Sequence, residues 1–398
     1  MRTMIGIVMA FSVVGAYTST AFAEDMTGVT ATEIKIGNTM PYSGPAAQYG
    51  TEGKSMSAYF NTINRSGGVA GHKITFISLD DAYSPPKTVE QTRRLVEQEH
   101  VAFIFAPLGT AQGLATRKYL NQQKVPQLNV VSGISAWNDP QHYPYSMSGL
   151  ASYFVDGKMV ASYVLKHVPN AKVAVLYQND DLGRDHLAGL KVGLGDKVGM
   201  IVKEATFEVA DPTVDSQVIE LRGSGADTLY IAGIPKATAQ AIRKADDLGW
   251  KPLRFISYTA GSISATLTPA GLNRSTGIVS HLPAKDPLDP TWKDDPFVRD
   301  YVAWMDTDYP NPDIKNGYIE AGYIFARTLV EILKLCDGNF SREHIMHVVT
   351  HLKNFEGPGL LPGVTVNTSP TDYTWVNAMR DIRFNGDRWE LLPVDHQM

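Results

Sequence analysis

A strand-type run followed by a helix-type run occurs again and again along this chain, and partway through the rhythm restarts. That pattern narrows the fold sharply. Parallel strands cannot be joined by tight hairpins, so each needs a crossover, and helical crossovers cover both faces of the sheet they serve. In the first run the spacing predicts strands at 34–39, 74–79, 101–106 and 128–131, with helices at 48–64, 86–99 and 111–123. In the second it predicts helices at 152–167, 184–194, 214–222 and 235–248, with strands at 173–177, 201–207, 229–232 and 255–258. The two runs share punctuation. Asp81, Ser84 and Pro85 precede a helix in one, and Asp211, Pro212 and Thr213 precede its counterpart in the other. Two similar α/β lobes in tandem are therefore expected, and a chain of 398 residues is long enough to give each its own core.

A third portion does not repeat the pattern. It holds helical spacing at 296–308, 318–335 and 341–352 and short strand-type segments at 364–367 and 382–384. These are too few for another lobe of the same kind, so they are expected to complete the first two. Several chain crossings would then form a hinge. The expected division joins residues 24–147 with about 282–355 in lobe 1, and about 148–281 with about 356–398 in lobe 2.

Composition removes several function classes. Charged residues make up 19% of the chain and the formal net charge is −5 without a basic block, which argues against a nucleic-acid partner. Only the first two dozen residues hold a sustained apolar run, which excludes a multispanning membrane protein. That run reads as an export signal over residues 1–23. Arg2 gives a minimal basic start, residues 4–17 are almost wholly apolar, and Ala21-Phe22-Ala23 offers a cleavage pattern before Glu24. A membrane anchor is the alternative reading of the same run. Cys336 is the only cysteine, so no internal disulfide can form, and its apolar setting reads as a buried small side chain.

In open parallel sheets, ligands bind beyond the carboxyl ends of the strands. The loops there include 40–44, 107–110, 132–135, 178–181, 233–235 and 257–261, and they are rich in Gly, Ser, Thr and Tyr. Glycine admits close backbone approach, hydroxyls donate and accept, and tyrosine offers a flat apolar face with a polar tip. Thr110, Ser132 and Ser135, with nearby backbone N–H groups, are expected to hold a carboxylate. Tyr42, Tyr153, Tyr258 and Tyr318 are expected to line an apolar slot, although Tyr153 and Tyr318, on helices, fit a core role equally well.

Catalytic signals are weak, and the expectation is a non-enzyme without cofactor. Gly133-Ile134-Ser135-Ala136-Trp137 begins like a nucleophile elbow but lacks the closing glycine. Neither a P-loop nor a G-x-G-x-x-G run occurs, so a nucleotide cofactor has no support. His344, His347 and His351 share a helical face by spacing, but no cysteine is near and Glu343 sits off that face; a solvated face is the reading and no metal is assigned.

These residues also carry a resemblance. Glu33-Ile34-Lys35-Ile36-Gly37, then Pro41-Tyr42-Ser43-Gly44, and the doubled lobes resemble type I periplasmic solute-binding proteins, the branched-chain amino-acid-type receptors of ATP-binding-cassette (ABC) importers. Gly109-Thr110-Ala111-Gln112, Lys124-Val125-Pro126-Gln127-Leu128 and Tyr177-Gln178-Asn179-Asp180-Asp181-Leu182-Gly183 are similar to an aromatic-acid-binding subgroup. So are Leu360-Leu361-Pro362-Gly363 and Asn367-Thr368-Ser369-Pro370-Thr371-Asp372-Tyr373.

The resemblance implies two doubly wound Rossmann-like α/β lobes joined by a multi-crossing hinge, closing on a small ligand in the periplasm and presenting it to a cognate ABC permease at the inner membrane. It implies ligand contacts on lobe 1 from Tyr42, Leu108, Gly109, Thr110, Ser132, Gly133 and Ile134, and the same strand-end loops add Ser43 and Ser135 to the expected set. On lobe 2 it implies Leu182, Ile234, Tyr258 and Thr259, with Tyr318 near the cleft; Asp181 of the 178–181 loop and Tyr153 of the expected slot complete the candidate set. Amino-acid-binding members carry an acid for the ligand ammonium in the loop matching residues 257–261. Here that loop has Tyr258, Thr259 and Ala260 and no acid, which favours an aromatic or other small carboxylate without an amine. Branched-chain amino acids or short amides are the alternative ligands, and a sensory ligand-binding module is the alternative role.

Overall fold

The computed structural model describes residues 25–393, and within them the strands assemble into two separate sheets. The expected export signal lies outside the described residues. The first sheet contains β1 (Glu33–Met40), β2 (Lys73–Asp80), β3 (Phe103–Phe105), β4 (Gln127–Val130) and β5 (Ser146–Ser148). Its order is β2-β1-β3-β4-β5, and every pairing is parallel. The second contains β6 (Val173–Gln178), β7 (Ile201–Phe207), β8 (Thr228–Ala232), β9 (Leu253–Ile256) and β10 (Val279–Leu282), all parallel. A late hairpin, β11 (Arg380–Phe384) and β12 (Trp389–Leu391), then joins β10 antiparallel, giving the order β12-β11-β10-β9-β8-β6-β7.

The crossovers are α1 (Gly50–Arg65), α2 (Pro85–Glu97) and α3 (Thr110–Gln122) in the first lobe. In the second they are α4 (Tyr153–His167), α5 (Asp181–Leu194), α6 (Asp215–Gly223) and α7 (Pro235–Asp247). Strands covered on both faces should be apolar throughout, and β3 (Phe-Ile-Phe) and β8 (Thr-Leu-Tyr-Ile-Ala) are buried at every residue. Helix starts follow capping chemistry. The Asp180 side chain accepts from the N–H groups of Leu182 and Gly183, so α5 begins three residues before the expected 184. Ser152 accepts from Val155 N–H at the start of α4. These two helices nearly touch: a Cβ at Gly157 would lie 2.1 Å from His186 O, and one at Gly189 2.0 Å from Phe154 O.

Two helical turns, α8 (Thr268–Ala270) and α9 (Leu272–Ser275), follow β9. Then come α10 (Pro296–Asp308), α11 (Gly317–Leu335) and α12 (Arg342–Val349). These three pack on the first sheet's side. Ser55 Oγ of α1 donates to Ile319 O of α11 at 2.6 Å, and the Arg342 guanidinium donates to Ala102 O and Val101 O at 2.7 and 2.9 Å. The chain thus passes between lobes at residues 149–152, 283–295 and 350–379.

Three strands lacked a sequence signal. β5 reads Ser-Met-Ser, β10 contains a histidine, and β12 spans only Trp389–Leu391. Conversely, residues 364–367 form no strand; Val366 makes a single bridge to Phe355 and is buried between the lobes' connections. The run expected at 255–258 is β9 shifted back by two residues, because Tyr258 opens a short 3-10 turn (Tyr258–Ala260). Cys336 is 1% exposed, and burial pushes its thiol up to about 12. No helix among the described residues is long and apolar enough to cross a membrane.

Candidate functional site

Strand order reverses direction between β1 and β3 in one sheet and between β6 and β8 in the other, so each sheet opens a crevice at its carboxyl edge. A cavity of about 220 Å³ lies where these edges face each other. Its walls are mainly apolar. Leu108, Gly109 and Thr110 follow β3, Asn129 and Val131 come from β4 and its end, and Tyr258 and Thr259 follow β9. Tyr153, Leu182 and Tyr318 contribute from α4, α5 and α11, and Trp375 and Trp389 come from the last crossing and β12.

Tyrosines fasten the lobes across this cavity. The hydroxyls of Tyr49, just before α1, and Tyr318 both donate to Thr259 O, at 3.2 and 2.9 Å. Their ring centroids are 4.8 Å apart. Tyr258 Oη donates to Ala151 O at 2.7 Å, and Ser135 N–H donates to Asp185 Oδ2 at 3.1 Å.

The structure sorts the expected residues into two groups. Leu108, Gly109, Thr110, Tyr153, Leu182, Tyr258, Thr259 and Tyr318 line the cavity. Tyr42, Ser43, Ser132, Gly133, Ile134, Ser135, Asp181 and Ile234 are outside its lining. Each of the latter is engaged elsewhere. Tyr42 Oη is 2.6 Å from Ser78 Oγ, and Ser43 Oγ donates to Asp80 Oδ2 at 2.6 Å, so this loop turns toward β2. Ser132 Oγ shares a 2.8 Å hydrogen bond with Thr110 Oγ1, which leaves the expected carboxylate cradle partly satisfied from within. The Tyr153 ring covers Gly133, where a Cβ would meet it at 2.8 Å, and Ile134 packs in the same small cluster. Ser135 and Asp181 are exposed, Asp181 pairing with Arg184 at 3.6 Å. Ile234 is 1% exposed in the core beneath α7.

The polar atoms that remain free in the wall were not anticipated. Among the described residues, Glu52 Oε2, Asn129 Nδ2, His281 Nε2 and Glu320 Oε1 are buried in the lining without a hydrogen-bond partner. Glu52 is 3% exposed, and burial alone holds its carboxyl well above the usual carboxylate range. Burial, with the charge of Asp286 added, does the same to Glu320. Asp286, also in the wall, is pushed up to about 6 by burial. Lys315 brings a cation to the wall, but its Nζ donates to Asp387 Oδ1 at 2.6 Å. The 257–261 loop lacks an acid, but the cavity does not: acids reach it from α1, α11 and the 283–295 crossing.

Beneath the second-lobe wall lies a buried network. Asp156 Oδ1 bonds His281 Nδ1, and Asp156 Oδ2 receives Tyr230 Oη at 3.1 Å and lies 3.1 Å from His186 Nδ1. Burial works to raise the Asp156 pKa, but the two imidazoles outweigh it and hold the carboxyl below its ordinary range. His281 Nε2 stands 3.4 Å from Asp381 Oδ1, within ion-pair reach but outside hydrogen-bond geometry. Tyr153 stacks on His186 at 4.6 Å, tying this network to the cavity.

The His344 and His347 rings of α12 are 6.3 Å apart, and His351, just past its end, donates from Nδ1 to His347 O at 2.7 Å. Among the described residues, no group of three or more His, Cys, Asp or Glu side chains could hold a metal ion.

Residues 33–387 match the model of a family described as periplasmic binding protein. A Leu/Ile/Val-binding protein homolog 7 from Brucella suis biovar 1 is 24% identical over 249 residues, 60% of this chain. The match spans only 62% of that relative's length. A branched-chain amino acid ABC transporter structure from Thermus thermophilus with bound valine superposes with a TM-score of 0.81 at 16% identity, covering 91% of this chain and 95% of the other. A fatty acid ABC transporter substrate-binding protein from Thermomonospora curvata gives 0.77 at 20% identity, covering 93% of each chain.

Proposed function

This chain belongs to the periplasmic binding protein family, with the type I fold of two α/β lobes, and from that premise we propose that it is a periplasmic solute-binding receptor that captures a small carboxylate by lobe closure and delivers it to an ABC permease. The observation that carries this reading is the tyrosine-walled cavity between the two carboxyl edges, fastened by Tyr49 and Tyr318 on Thr259. A cavity of about 220 Å³ suits a solute of amino-acid or benzoate size.

The energetics are of the right order. Burying a ring or branched side chain of about 150 Å² contributes about 3–4 kcal/mol. A micromolar dissociation constant corresponds to about 8 kcal/mol, so a few charge-assisted hydrogen bonds supply the remainder. Lobe closure is then a shift between open and closed populations, driven by contacts that only the closed form completes.

Two ligand classes fit, and each has its own support. The acid-free loop at 257–261 and the aromatic lining favour an aromatic acid. Free carboxyls in the wall favour an apolar amino acid, the class named for the Brucella relative and bound in the Thermus structure. A thermal-shift screen of the purified protein against both classes tests the proposal. A ligand at 100 times its dissociation constant should stabilise the fold by about 2.7 kcal/mol. No shift with any aromatic acid, aliphatic acid or amino acid would overturn it.

A further inference from the structure

Glu52 sits in the first turn of α1, on a face it shares with Tyr49, Met56 and Phe60. By helical spacing that stripe calls for apolar residues, and a carboxyl there needs a reason. The fold supplies none. Glu52 Oε2 has no hydrogen-bond partner although the residue is 3% exposed, and the side chain forms part of the cavity wall. Tyr49 and Tyr318, which share its wall, do not serve it, since both hydroxyls turn to Thr259 O. Nor can the helix draw the group away from the cavity: a Cβ at Gly322 of α11 would lie 2.4 Å from Glu52 O, so the two helices are already in backbone contact.

We infer that Glu52 is the anchor for a protonated amine on the ligand, so that this cavity selects amine-bearing carboxylic acids over their amine-free isosteres. The inference rests on the reading of the cavity as the ligand site. A buried, unpaired acid and an incoming ammonium satisfy each other, and each would be costly to bury alone. Asn129 is 6% exposed, and its Nδ2, equally without a partner, is a free donor of the same wall that suits the ligand's carboxylate.

Protons follow the charge. In the empty cavity burial keeps Glu52 protonated well above the ordinary carboxylate range. When the ammonium arrives, the carboxyl O–H bond breaks, its electron pair stays on oxygen, and the proton leaves to solvent. The groups that feel this charge are Tyr49 beside α1, Tyr153 on α4 and Tyr318 on α11. Farther along the wall stand Asp286, Glu320, Lys315 and His281, the last two already held by Asp387 and Asp156. Affinity for an amine ligand should therefore rise with pH from the ordinary carboxylate value upward, until Glu52 ionises unaided.

The test is titration calorimetry on two isosteric pairs, leucine with isocaproate and phenylalanine with hydrocinnamate, in buffers of different ionisation enthalpy. In the native protein the amine-bearing member should bind tighter by on the order of 100-fold, and its heat should depend on buffer because a proton is released. Glu52→Gln should abolish both the preference and the release. Equal binding within each pair, amine binding without proton release, or a preference that survives in Glu52→Gln would overturn the assignment. Should the variant not fold, proton release in the native protein decides alone. Silence from all four compounds together with a silent thermal screen would instead sink the ligand-cavity reading beneath it.

Discussion

Each lobe buries a carboxyl, and the two behave in opposite ways. Asp156 in the second lobe is fully buried and meets two imidazoles and a tyrosine hydroxyl, so its pKa falls. Glu52 in the first lobe is 3% exposed and Oε2 meets nothing, so its pKa climbs. Burial alone does not set the charge of a buried acid; its partners do. The satisfied carboxyl ties β10, α4, α5 and β8 together, whereas the unsatisfied one leaves room in the cavity wall for a group the protein does not contain.

The sharpest way to break this comparison is to delete each acid. Asp156→Ala strands two buried imidazoles and should lower unfolding free energy by about 3–5 kcal/mol in a urea titration, the cost of removing one partner of a buried pair. Glu52→Gln replaces an unpartnered buried carboxyl with an amide of nearly the same shape and should leave stability unchanged or raise it by about 1 kcal/mol. Equal losses would mean that Glu52 has a structural partner after all.

Next in size is the contact that fixes Glu52 in place. Gly322→Ala forces a Cβ to within 2.4 Å of Glu52 O and should destabilise the fold by about 1–3 kcal/mol, read from the same titration. A neutral result would show that α1 is free to shift and the carboxyl free to withdraw.

The acids should also separate by pH. The folded pKa of Glu52 is raised, so its relative stabilisation is complete below the unfolded value and is lost as pH climbs through the folded one. Native protein compared with Glu52→Gln should lose at most about 1.4 kcal/mol per pH unit over that window. The folded pKa of Asp156 is depressed, so its contribution is present above the unfolded value and fades only as pH falls through the folded one. A stability difference between native protein and Glu52→Gln that is flat with pH contradicts this.

Smallest are the tyrosine fastenings. Tyr49→Phe or Tyr318→Phe removes one donor to Thr259 O and should weaken ligand binding about 5-fold, for about 1 kcal/mol of hydrogen bond. Calorimetry of the single and double variants would show whether the shared acceptor makes them non-additive.

Much of the fold was legible because buried parallel strands announce themselves as apolar runs, as β3 and β8 do. β5 and β10 gave no such sign, since Ser146, Ser148 and His281 owe their burial to partners distant in sequence. That also hid the Asp156–His281 contact, 125 residues apart. The strand-end rule found Thr110, Tyr258 and Thr259 in the cavity but also suggested Tyr42 and Ile234. The first is turned to Ser78, and the second is drawn into the core. Glu52 was missed despite a readable signal, an acid in the stripe of Tyr49, Met56 and Phe60, because helix starts tolerate acids and the stripe alone does not reveal a cavity.

The most direct measurement is a carbon-detected NMR titration of the Glu52 carboxyl, assigned by comparison with Glu52→Gln, with and without leucine or phenylalanine. The free-protein pKa should lie well above the ordinary glutamate range and drop when the amino acid binds. A carboxyl that titrates normally in the free protein, or one whose pKa ignores a bound amino acid, would contradict it.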